Sequence, residues 1–108
     1  MVITVDLQRG DPAPVALRDP DDCAKFHVEV IGPRDLAALG HALVDADAGR
    51  VEGEDALIDV GAVRRLASGR VGASWAGDFE KMLAYARSKG WIDETGASIQ
   101  AHVEWVDP

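Results

Sequence analysis

The sequence predicts an α+β fold: a small three- to four-stranded, mostly antiparallel sheet with about three helices packed on one face. Three observations lead there. Several short segments alternate apolar and polar residues with the two-residue period of a strand, other segments repeat apolar residues at three- and four-residue spacing, and 108 residues suffice for one core. Strands that alternate cleanly have one apolar and one polar face, so helices are expected on one side of the sheet only. A single compact domain over residues 1–108 follows. With 47% hydrophobic and 28% charged residues the balance is that of an ordinary globular chain, which excludes a disordered or fibrous class.

Ile3, Val5 and Leu7 alternate with Val2, Thr4 and Asp6, which is the pattern of a first strand. Residues 8 to 24 carry Gly10, Pro12, Pro14 and Pro20 and the run Asp19 to Asp22, and read as loop, with a short extended piece at Val15 to Leu17. Phe26, Val28 and Val30 then alternate with His27, Glu29 and Ile31 in a second strand that Gly32-Pro33 ends. A first helix is expected from about Pro33, whose missing N–H costs nothing in a first turn, with Asp35 complementing the helix dipole. Leu36, Leu39, Gly40, Leu43 and Val44 form its apolar stripe, and Gly49 suits a left-handed cap beyond its end.

A polar link precedes Ala56-Leu57-Ile58, a short buried extended segment running into Asp59, which is placed to cap a second helix. On that helix Val60, Val63, Leu66 and Ala67 share a face and Ser68-Gly69 closes it. A third helix is expected from a Ser74 cap, with Trp75, Phe79, Met82, Leu83 and Ala86 in one sector, Gly90 as stop and Trp91 packing back as in a Schellman motif. After a turn at Asp93 to Gly96, Ile99, Ala101, Val103 and Trp105 alternate with Gln100, His102, Glu104 and Val106 in one closing strand. Each of Trp75, Trp91 and Trp105 has a core explanation at its position.

Nineteen acidic against eleven basic side chains give a net charge of −8, which repels nucleic acid at long range and favours a basic protein surface or simple solubility. Cys23 is the only cysteine, so no internal disulfide can form, and Asp21 and Asp22 beside it oppose thiolate formation. A structural cysteine is expected. No basic n-region and no run of 18 apolar residues occurs, so neither a signal peptide nor a membrane partner is expected, and the cytoplasm is the expected location.

One feature carries possible chemistry. Phe26-His27-Val28-Glu29-Val30 is echoed by Ala101-His102-Val103-Glu104-Trp105, and the strand period puts His27 with Glu29, and His102 with Glu104, on one face each. If the two strands pair, two imidazoles and two carboxylates meet on the uncovered face, where they can hold a divalent metal, move a proton, or merely stabilise a solvated sheet. Arg64, Arg65 and Arg70 form the only basic cluster, able to grip a carboxylate or phosphate, against the plainer reading of solvated cations near a helix C-terminus. His41 falls on the polar side of the first helix.

The acidic stretch Asp19, Asp21, Asp22 lacks the glycine and terminal glutamate of a calcium loop, so no metal is assigned to it. Phosphate-binding glycine loops, the Gly-x-Ser-x-Gly elbow, Cys-x-x-Cys and His-Glu-x-x-His are absent, and no cofactor is expected. The leading expectation is a non-enzymatic binding or interaction module, a homodimer or a partner of another protein, using its uncovered sheet face or an aromatic patch. The rival is a small enzyme or metal-binding protein centred on His27, Glu29, His102 and Glu104. A third reading, from charge alone, is an acidic inhibitor of a basic protein.

Overall fold

The structure, a computed structural model, describes residues 1–9 and 13–106. Gly10 and Pro12, expected in a loop, lie outside the described residues. Strand β1 (Val2–Asp6) turns back into β2 (Val15–Arg18), and the two pair antiparallel from Val2↔Arg18 to Val5↔Val15. The extended piece expected inside the first loop is therefore a full edge strand. Strand β3 (His27–Ile31) lies parallel on the other side of β1.

Helix α1 (Leu36–Asp45) starts later than Pro33 suggested: Asp35 is its cap, with the carboxylate accepting from the Ala38 amide at 3.1 Å. The residue that ends it is a correction too. Asp47 takes the left-handed conformation (φ 53°), and the amides of Asp47 and Ala48 donate to the carbonyls of Val44 and Leu43, the double bond of a Schellman turn. Gly49 is needed for a different reason. It opens β4 (Gly49–Glu52) at φ +153°, where an added Cβ would stand 2.0 Å from the Leu57 carbonyl oxygen.

The supposed polar link is thus the outer strand of a hairpin with β5 (Asp55–Asp59), turned by Gly53 and Glu54. Asp59 caps α2 (Val60–Ala67) as expected, accepting from the Gly61 amide at 2.9 Å. Ser74 precedes α3 (Trp75–Ser88), but its hydroxyl makes no capping bond, and Asp78 supplies the first-turn negative charge instead. At the far end the Trp91 amide donates to the Ala86 carbonyl at 2.9 Å, closing the expected Schellman turn around Gly90.

The closing strand is two strands. β6 (Ser98–Ala101) pairs antiparallel with β5, and after His102 the chain continues as β7 (Val103–Val106), parallel to β3. The described residues therefore hold two sheets, a mixed one ordered β2-β1-β3-β7 and an antiparallel one ordered β4-β5-β6, where one sheet was expected. The reason is visible in the side chains. Ile99, Ala101 and Val103 are all buried, so the inward alternation carries on unbroken while the backbone changes hydrogen-bonding partner at His102. An α+β fold results, with antiparallel pairings outnumbering parallel ones.

One apolar cluster joins both sheets and all three helices: Ile3, Val5, Val28, Val30 and Val103 from the first sheet, Ile58 and Ile99 from the second, and Leu39, Leu43, Val63, Phe79 and Leu83 from the helices. Burying each such side chain stabilises the fold by about 1.5–3 kcal/mol relative to exposure. Among the described residues, no helix is long and apolar enough to cross a membrane.

Candidate functional site

On β3 the alternation that buries Val28 and Val30 turns His27 and Glu29 to the opposite face of the mixed sheet. The register of β7 then sets Glu104 directly beside Glu29. Like charges in facing positions are destabilising unless a cation lies between or beside them. Arg18 on β2 fills that role, donating to a Glu29 carboxylate oxygen at 2.8 Å, and His27 Nε2 lies 3.4 Å from Glu104 and 3.9 Å from that same Glu29 oxygen.

The Arg18 hydrogen bond holds the Glu29 carboxyl below the usual glutamate range, with partial burial working against it, and the same bond raises Arg18. His27 and Glu29 are partly buried while Glu104 is about half exposed. Their nearest ligand atoms, the imidazole nitrogen and one oxygen from each carboxylate, all fall within 4.8 Å of one another. Such a set can accept a proton, bind a cation, or serve as a charge network on a wet sheet.

Three of the four residues singled out in the sequence meet here, and His102 does not join them. It sits at the crossing between β6 and β7, exposed, with its backbone carbonyl accepting from the Val28 amide at 2.9 Å. The echo of the two His-x-Glu segments is thus real in register and incomplete in contact.

The arginines go to three separate places. Arg64 pairs with Glu80 and lies over the Phe79 ring, 4.9 Å from its centroid. Arg65 donates to the Ala46 carbonyl at 3.0 Å, at the end of α1, and Arg70 to the Leu17 carbonyl at 2.8 Å. Each guanidinium meets an acceptor within its own chain, and the three bond to different parts of the fold. His41 is exposed on α1.

A second region was not among the candidates read from the sequence. Between α3 and the segment 21–26 lies an open groove of about 660 Å³, floored by Phe26, Met82, Ala86 and Ile99 and edged by Tyr85 and Trp91. Its rim carries Asp21, Asp22 and Asp78, with Lys25 and Lys81. The indole Nε1 of Trp75, itself stacked on Phe79 at 4.7 Å between centroids, donates to the Pro20 carbonyl at 2.6 Å and ties that segment to the core. Trp91 is 42% and Tyr85 57% exposed, and they meet edge to face at 5.9 Å. Trp91 is thus a surface residue, where the sequence favoured core, while Trp75 is buried and Trp105 packs against the core.

Cys23 also lines the groove. Burial pushes its thiol above the ordinary range and the Asp78 carboxylate pushes it further, the amino terminus opposes them, and Asp22 and Asp21 add smaller upward effects. A legible clue to the groove existed: Tyr85 falls outside the inward sector of α3, and a large aromatic there has no core to enter. Compared with family models, curated proteins and solved structures, the chain shows no significant match to any of them.

Proposed function

We propose that the protein is a non-catalytic binding module that takes an apolar side chain of a basic partner protein into the groove beside α3. The observation that carries this reading is the pairing of two exposed aromatics, Tyr85 and Trp91, with an apolar floor inside a rim of three aspartates. Exposed aromatics over a concave apolar floor are the usual anchors of protein interfaces, and they lose water readily on contact. Small-ligand sites differ in needing polar groups that converge inside the cavity. Here the charged groups stand at the rim, where they can steer and register a partner.

Charge selects the partner class. A chain of net charge −8 with an acidic rim repels a second copy of itself and attracts a basic surface. Two lysines at the rim reduce but do not cancel the effect, since three aspartates face them.

Selection of peptides from a random displayed library against the full chain tests this. Peptides with a large apolar residue flanked by Lys or Arg should be enriched, should bind more weakly as salt rises, and should lose binding to Met82→Glu and Trp91→Ala proteins. Enriched peptides that bind both variants as well as wild type, or acidic peptides, would sink the proposal. Concentration-dependent self-association in light scattering, abolished by Trp91→Ala, would assign the groove to a second copy instead.

A further inference from the structure

The mixed sheet carries a separate arrangement, on residues that take no part in the groove. We propose that His27, Glu29 and Glu104 form an open binding site for a divalent transition-metal ion of the zinc type. One imidazole nitrogen and two carboxylate oxygens are ligands suited to such an ion.

The geometry is close to what coordination needs. Bonds of about 2.0–2.2 Å place ligand atoms of a tetrahedral site roughly 3.3–3.6 Å apart. His27 Nε2 already stands 3.4 Å from Glu104 and 3.9 Å from Glu29. The three ligand atoms lie within 4.8 Å of one another, so rotation of the half-exposed Glu104 and of Glu29 would have to close the set to that spacing. The backbone is fixed in advance, because His27 and Glu29 sit on one strand and Glu104 on its hydrogen-bonded neighbour. A bound ion would also relieve the repulsion of two carboxylates held in facing register.

Arg18 is the competitor. Its guanidinium occupies the same Glu29 oxygen that lies nearest His27, so a metal must displace it. The displaced side chain has somewhere to go: Arg18 is half exposed, and its Nε is already 3.8 Å from Asp19. Arginine and metal are therefore alternative partners of one carboxylate, which gives the proposal a signature that a simple surface ion-pair network lacks.

The test is a zinc titration of the untagged full chain against a chelating dye, with cobalt absorption as a second readout of the ligand field. One ion should bind per chain. His27→Gln and Glu104→Gln should each weaken binding by about tenfold or more, whereas Arg18→Met should tighten it several-fold and His102→Ala should leave it unchanged. Circular dichroism and the melting temperature of each metal-free variant check that the sheet is intact. Equal affinity of wild type and His27→Gln, loss on His102→Ala, or no gain in Arg18→Met would overturn the site. None of these outcomes bears on the groove, whose residues are untouched.

Discussion

Replacing Gly49 by alanine should be among the most damaging single-methyl additions this fold can receive. The cost has two parts. At φ +153° an L residue sits in a region that only glycine occupies freely, which costs about 1–3 kcal/mol. The new Cβ would also lie 2.0 Å from the Leu57 carbonyl oxygen, so at least 1.0 Å of displacement is needed to reach the 3.0 Å that real Cβ contacts respect. The atom in the way is backbone in the β4–β5 ladder and cannot rotate aside, and overpacking of this kind costs a further 1–3 kcal/mol or so. A total of about 2–6 kcal/mol is a large share of the 5–15 kcal/mol typical of a domain. Gly53 is the internal control. It has φ +64° but nothing within 4 Å of an added Cβ, so Gly53→Ala carries only the conformational part, about 1–2 kcal/mol. Urea unfolding followed by tryptophan fluorescence and far-UV circular dichroism measures both. If Gly49→Ala loses no more than Gly53→Ala, the close approach of the two strands is wrong and the hairpin reading with it.

Gly77 lies in the first turn of α3 with open space around its missing Cβ, so Gly77→Ala should stabilise the fold by about 0.5–1 kcal/mol, read as a raised urea midpoint. The Arg18 bond keeps the Glu29 carboxyl below its unfolded value, so its contribution is full above the ordinary glutamate range and is lost as pH falls through the folded value. The stability gap between wild type and Glu29→Gln should therefore be present at neutral pH and close in strong acid; a gap that widens in acid would reverse the sign. Cys23, half-buried and with its thiol pushed up, should alkylate with iodoacetamide more slowly than a free thiol at neutral pH, and native mass spectrometry over time reads the rate. Reaction faster than that of free cysteine would show that the groove wall is open.

The two candidate sites were legible to different degrees. His27, Glu29 and Glu104 follow from strand alternation, because a period of two assigns each side chain a face whatever the partner strand is. Arg18 was hidden, since it sits on an edge strand buried in a proline-rich stretch that reads as loop, and its reach to Glu29 depends on β1 lying between β2 and β3. The groove was harder still. Its walls come from residues 21–26, α3 and β6, brought together by a core that no local pattern describes.

What the chain alone determined is local: which side chains point inward, where Asp59 starts a helix and Gly90 ends one, the acidity of the surface, and an α+β class. Those properties depend on periods of two and 3.6 residues and on the chemistry of single positions. What the tertiary structure decided is non-local: that the last alternating run divides between two sheets at His102, that Gly49 serves the close pairing of β4 with β5 and not a cap, and that His102 stands away from the cluster. Partner choice among strands is set by packing over the whole core, and alternation is satisfied equally well by either neighbour.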